Sequence, residues 1–90
     1  MIVSFVLPVF NCEGNIKPLF TELMAISIKF PMFQPEYIFI DDYSTDGSLK
    51  EIQALDSPYI KIVGLKKNVG SYSAALRGLG HVTGARVVIM

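Results

Sequence analysis

YIFIDDYSTDGS, residues 37–48, holds the transition that decides the fold. Tyr37 to Ile40 is a short apolar run, aromatic and β-branched, that reads as a strand and stops abruptly at Asp41-Asp42. Ser44-Thr45-Asp46-Gly47 follows, with hydroxyl and carboxylate N-cap candidates ahead of Leu49, Ile52 and Leu55 at helical spacing. The segment therefore reads strand, acidic end, helix.

The same alternation extends in both directions. Upstream, Ile2 to Leu7 is a strand that Pro8 is expected to end. Ile16, Leu19, Phe20, Leu23 and Met24 then fall at i, i+3, i+4, i+7 and i+8, the stripe of a helix with one buried face. Asn15 is its cap candidate, Pro18 is tolerable in its first turn, and Pro31 to Pro35 break it. Downstream, Pro58 separates the second helix from a third strand, Ile60 to Leu65. Lys66 to Gly70 form a polar turn before a third helix, Ser71 to about His81, with Tyr72, Ala75, Leu76 and Leu79 expected inward. Gly84 ends that helix, and Arg86 to Met90 is a fourth strand. The order β-α-β-α-β-α-β predicts an α/β fold, a parallel sheet with helices on both faces. Right-handed crossovers point to the strand order 3-2-1-4.

Composition limits the function. With 90 residues the chain is one domain or part of one, and it buries roughly 60–65% of its unfolded surface. Hydrophobic residues make up 51%, rich for a small domain but expected of strands buried on both faces. Eight basic and eight acidic residues cancel without a Lys/Arg stripe, which argues against nucleic acid as a partner. The single Cys12 cannot form an internal disulfide and fits a reducing compartment. MIVSFVLPVF has neither the basic start nor the cleavage site of a signal peptide, and no apolar run approaches the ~20 residues that span a bilayer. A cytoplasmic location is expected.

In open parallel sheets, ligands bind beyond the carboxyl ends of the strands. Three polar clusters occupy those positions: Pro8–Asn15, Asp41–Gly47 and Lys66–Gly70. Adjacent carboxylates raise each other's pKa, so Asp41-Asp42 must be met by donors, a metal or a ligand. Either the pair only caps the turn and the next helix, or one carboxylate caps while the other accepts from a bound base or ribose. Pro8-Val9-Phe10-Asn11 is either a loop whose Phe10 packs inward or a slot for a flat base. Gly70, just before a helix, permits positive φ or close approach of a ligand, although no GxGxxG or Walker spacing accompanies it. Arg77 and the Lys66-Lys67 pair read as surface charge, while His81 and Cys12 have no partner for metal binding or nucleophilic chemistry.

Taken in order, three segments resemble the N-terminal motifs of family-2 glycosyltransferases of the GT-A fold. They are Val3 to Ile16 (P-V-F-N-x-E-x-N-I after a strand), Phe39 to Ser48 (F-I-D-D-Y-S-T-D-G-S) and Lys67 to Leu79 (K-N-V-G-S-Y-S-A-A-L-R-G-L). The third segment is most similar to the branch that uses polyprenyl phosphate acceptors. The resemblance implies a Rossmann-like nucleotide-binding half and a UDP- or GDP-sugar donor. It also implies Mg²⁺ or Mn²⁺ in the whole enzyme and transfer of a hexose to polyprenyl phosphate with inversion.

Residue by residue, it places Pro8, Phe10 and Asn11 beside base and ribose, Ile40 in the same slot and Asp42 on the base edge. Asp41 is the electrostatic partner of Asp42, and Lys67 and Gly70 lie in the loop close to the nucleotide. The family commonly has an acid directly after the motif Asn; here it is Cys12, which leaves Glu13 as the ribose candidate. Tyr43 stands where a glycine or small residue is frequent, and Gly84-Ala85-Arg86 lacks an acid often found before the fourth strand.

The family's metal-binding D-x-D motif, catalytic base and acceptor site would follow Met90. The resemblance therefore assigns no catalytic or metal-binding residue to this chain, which is expected to be inactive alone. Rival classes are a phosphoacceptor receiver-like module and a non-catalytic α/β interaction module that has lost the site. The apolar fourth strand, Val87 to Ile89, is expected to lie at an edge and to drive homo-oligomers.

Overall fold

The structure is a computed structural model that describes residues 1–84 and 86–90. Ala85, in the Gly84-Ala85-Arg86 segment noted for its missing acid, lies outside the described residues. The described residues form β1 (Ile2–Val9), α1 (Ile16–Lys29), β2 (Gln34–Asp41), α2 (Ser48–Gln53), β3 (Ile60–Gly64), α3 (Ser71–Leu79) and β4 (Arg86–Ile89). The strands are parallel in the order β3-β2-β1-β4, as the alternation and crossover rules predict.

β2 is buried on both faces because helices cover each side. On one face Leu7, Val9, Tyr37 and Phe39 pack with Ile16, Phe20 and Leu23 of α1 and Ile52 of α2. Phe20 meets Tyr37 edge-on, with ring centroids 4.9 Å apart. On the other face Val6, Ile38 and Ile40 pack with Ala74 and Ala75 of α3.

Several expectations are corrected by this packing. β1 continues through Pro8 to Val9, and β2 starts at Gln34 and contains Pro35. Both prolines sit where a missing N–H costs nothing. β4 pairs with β1 only from Val3 to Val6, and β3 joins β2 only from Tyr37 onward. α3 ends at Leu79, and its inward face is Ala74, Ala75 and Gly78, while Tyr72, Leu76 and Leu79 are exposed. Small residues win that face because the helix lies close to the sheet. A Cβ on Gly78 would stand 2.5 Å from Ile40 Cδ1 and 2.7 Å from Val6 Cγ1. Leu19 and Met24 of α1 lie at the rim of its buried stripe, and Asn15 makes no side-chain cap.

At the amino end of the sheet, Glu36 of β2 anchors the α3–β4 connection. It accepts the amide and hydroxyl of Thr83, and Lys61 Nζ stands 3.6 Å from it. Gly84 donates its amide to Ser4 Oγ at 2.9 Å. Burial raises the Glu36 carboxyl, but Thr83, Lys61 and Ser4 together outweigh it and hold the group below its ordinary value.

Candidate functional site

The sheet register brings the three polar clusters to one edge of the molecule. Val9 and Gly64 both pair with Asp41, so β1, β2 and β3 end level. The amide of Asp42 donates to Val9 O at 2.8 Å, and that of Leu65 to Asp41 O at 2.9 Å, continuing the ladder into the loops.

Asp42 is 2% exposed. Its Oδ1 accepts the amide of Val69 at 2.8 Å and its Oδ2 that of Gly70 at 2.9 Å, while Asn68 Nδ2 reaches its carbonyl at 3.2 Å. The carboxylate thus serves the N-terminus of α3, whose cap residue Gly70 adopts φ +88 and makes no side-chain bond. A carboxylate has about four acceptor positions, so each oxygen keeps one free.

Asp41, at 4% exposure, has an Oδ1 without a hydrogen-bond partner among the described residues. Strand alternation puts it on the α1/α2 face with Tyr37 and Phe39, opposite Asp42. The two acids therefore do not form one clamp.

The expected slot residues are distributed around this end. Ile40 is fully buried behind Asp42. Pro8 is half-buried and lines two cavities. One, of about 290 Å³, it shares with Ser71, Tyr72, Leu76, Ile89 and Met90 over the β1–β4 junction. The other, of about 190 Å³, it shares with Val9, Cys12 and Asn15. The β1–β4 junction is where strand order reverses, the position at which open α/β sheets take ligands. Phe10 is about half exposed, and Lys67 is exposed. A larger cavity, about 440 Å³ between Met1, Phe5, Phe30 and Phe33, is apolar and lies at the opposite end of the strands.

The first two loops are tied to each other. Asn11, with φ +49, accepts the amide of Thr45 on Oδ1 at 2.8 Å and donates its own amide to Ser44 Oγ at 3.1 Å. Cys12 donates its amide to Ser48 Oγ at 2.9 Å. Glu13, expected near the ribose, has Oε1 on the amide of Gly47 at 2.6 Å, while its own amide donates to Asp46 Oδ2. Glu51 accepts the amides of Gly14 and Lys17 at 2.7 and 2.8 Å. Sequence reasoning missed Glu51, because nothing local marks an acid inside a helix as the cap of a different helix.

Electrostatics follow these contacts. The Asp46 carboxyl is held below its ordinary value by the Ser48 hydroxyl and amide and the Glu13 amide. Burial pushes the Cys12 thiol up, which disfavours a reactive thiolate. Among the described residues no group of three or more His, Cys, Asp or Glu side chains is placed to hold a metal ion. With Asp42 on amides and Asp41 facing away, these residues do not fit a divalent cation. No described helix is long and apolar enough to cross a membrane.

An open parallel sheet ordered 3-2-1-4, with its three polar loops at the carboxyl ends of the strands, defines a Rossmann-like α/β domain. The chain belongs to glycosyl transferase family 2, whose family model matches residues 4–90. It is 35% identical over 89 residues to dolichol-phosphate mannosyltransferase of Saccharomyces cerevisiae, covering 97% of this chain and 33% of that protein. It is 33% identical over 90 residues to bactoprenol glucosyl transferase of Shigella phage SfX, covering 98% of this chain and 29% of that one. Among solved structures, TarS of S. aureus matches with a TM-score of 0.85 at 25% identity, over 100% of this chain and 27% of that one. The fold is thus the GT-A arrangement that the motifs implied. The chain spans about a third of the length of the curated relatives it matches.

Proposed function

We propose that this chain binds the nucleotide part of a UDP- or GDP-hexose, and that the whole enzyme passes the hexose to a polyprenyl phosphate. The observation that carries the reading is the placement of Asp42. It is a buried carboxylate at the end of a central strand, fastened to the third loop through its side chain and to the end of β1 through its amide, one strand from the switch in strand order. Pro8, Phe10 and Asn11 line the base and ribose side, Ile40 forms the floor, and Lys67 and Gly70 lie beside the nucleotide. Asp42 has acceptor capacity left for a base N–H, and Asp41 gives the end of the strand its second negative charge.

Glu13 is the ribose candidate on the same side of the sheet, with its Oε1 already engaged by the Gly47 amide. The relatives support the acceptor class: two of them carry dolichol-phosphate and bactoprenol in their names. Such an enzyme works at the cytoplasmic face of a membrane.

Calorimetric or NMR titration with UDP-glucose and GDP-mannose tests this. Binding is expected in the high micromolar to millimolar range, about −4 kcal/mol at the weak end, with little dependence on Mg²⁺ or Mn²⁺. Resonances of Phe10, Asp42 and Gly70 should move. Binding that leaves those three residues unperturbed, or no binding of either nucleotide at millimolar concentration, would overturn the reading.

A further inference from the structure

We propose that Glu51 is a positioning residue for the nucleotide slot, acting from α2 on the turn that carries Phe10 and Asn11; this rests on the nucleotide-sugar reading above. The start of α1 lacks local support, and at the start of α2 the only local side-chain acceptor among the described residues is Asp46, whose Oδ1 takes the Ser48 amide at 2.9 Å. Asn15 makes no side-chain cap and the first turn of α1 contains no acid, while the Gly47 cap of α2 makes no side-chain bond. Helix starts leave four amides without intrahelical partners. Here those partners come crosswise.

Glu51, inside α2, takes the amides of Gly14 and Lys17 on its two oxygens, one each. Glu13, just before α1, takes the amide of Gly47 at the start of α2. Each carboxylate therefore sits on the other helix's positive end, where charge-assisted bonds are strongest. The arrangement needs Gly47, since a Cβ there would stand 2.8 Å from Glu13 Cδ and Oε1.

The consequence falls on the turn between β1 and α1. Asn11 holds a left-handed backbone, φ +49, which asparagine tolerates and which its bonds to Ser44 and Thr45 fix here. On its far side that turn is anchored by Glu51 through Gly14 and Lys17. On its near side it is anchored by the bonds of Asn11 to Ser44 and Thr45. Phe10 immediately precedes Asn11, so the direction of its ring follows the same turn. Glu51 acts on the slot through this turn.

Glu51→Ala, Glu51→Gln and, as a control on an exposed acid of α1, Glu22→Ala are compared with the unaltered chain by amide NMR, hydrogen exchange and nucleotide-sugar titration. Glu51→Ala should shift or broaden the signals of Phe10 and Asn11 and raise Kd about tenfold, the scale of one charge-assisted bond. Exchange protection of Ile38 and Ile40 should be unchanged. Glu51→Gln, which keeps one carbonyl acceptor, should recover part of both effects, and Glu22→Ala should show neither.

If Glu51→Ala does not fold, Glu51→Gln and Gly47→Ala, which displaces the Glu13 carboxylate, carry the test. Unmoved Phe10 and Asn11 signals would overturn the proposal, as would affinity lost only in step with global stability. If the unaltered chain binds neither UDP- nor GDP-sugar, the functional reading fails by itself. The Phe10 and Asn11 signals still decide the role of Glu51, movement supporting it and constancy overturning it.

Discussion

Asp42 and Gly70 are joined side chain to backbone at 2.9 Å, so the end of the central strand holds the start of α3. That bond makes the candidate site and the fold interdependent. The residue proposed to meet a nucleotide base also accepts two amides at the third loop that have no other partner among the described residues. Substitutions at Asp42 therefore act on both stability and binding, and separating the two requires measuring both.

Asp42→Asn replaces an acceptor of two amides with a group that must turn an NH₂ toward one of them. We expect a loss of about 1–3 kcal/mol in unfolding free energy, measured in urea, from a buried donor left unpaired. Nucleotide-sugar affinity should fall by a further 1–3 kcal/mol or so after correction for the unfolded fraction, because a charged acceptor is lost. Asp41→Asn should cost less in stability, since its Oδ1 has no partner to lose.

Gly78→Ala tests the close approach of α3 to the sheet. Alanine is the better helix former by about 1 kcal/mol, so an exposed glycine replaced in this way would stabilise. Here the added methyl meets Ile40 Cδ1 and the Val6 branch, which cannot swing away. Overpacking dominates, and thermal unfolding should show a net loss of about 1–2 kcal/mol.

How much of this was legible in the sequence depended on range. The parallel sheet and the placing of the three polar loops at the strand ends followed from hydrophobic period, and the crossover rule left few strand orders, of which 3-2-1-4 is the one the family resemblance implied. The inward face of α3 did not follow. Tyr72, Leu76 and Leu79 have the larger apolar side chains, but close packing selected Ala74, Ala75 and Gly78, and only the distance between helix and sheet decides that choice. Likewise Asn15 has the right chemistry for a cap, yet Glu51, 37 residues from Gly14, supplies it. The opposite facing of Asp41 and Asp42 was implicit in strand alternation, although their adjacency in sequence suggested a joint role.

Tyr43 adopts φ +62, a conformation that costs an L-residue roughly 1–2 kcal/mol. The strain gives a physical reason for glycine, one of the small residues that the family resemblance implies at this position. The ring is more than half exposed, so little packing is lost on its removal. Tyr43→Gly should therefore be neutral or stabilise by up to about 1 kcal/mol in urea unfolding, once the added freedom of the unfolded chain is subtracted.

Glu36 gives stability a defined acid limb. Its folded pKa is lowered relative to the unfolded value near 4.5, so the folded state favours the charged form. Its contribution is complete above that value and is lost as pH falls through the lower folded pKa. Glu36→Gln should cost about 1–3 kcal/mol at pH 7, because Thr83 and Ser4 lose a charged acceptor. Urea melts of the two proteins should draw together as pH falls below 4.5, and a constant gap between them as the pH is lowered further would refute the assignment.

Association should follow from the unequal edges of the sheet. β3 is an edge strand protected by Lys61 at its second position, a charge that opposes strand addition. β4 is the other edge, and Val87, Val88 and Ile89 are 42%, 40% and 54% exposed with no charge among them. Its outward amides and carbonyls form a template that another strand can extend, and the cavities lined by Arg86 on one face and Ile89 on the other leave room for the added side chains. The chain should therefore form dimers or larger species at micromolar concentration in light scattering. Val88→Lys should return it to the monomer, with the same unfolding midpoint as the unaltered chain at concentrations too low for association, because Val88 is not part of either buried cluster. A chain that scatters as a monomer at high concentration would show that the β4 edge is not a pairing surface.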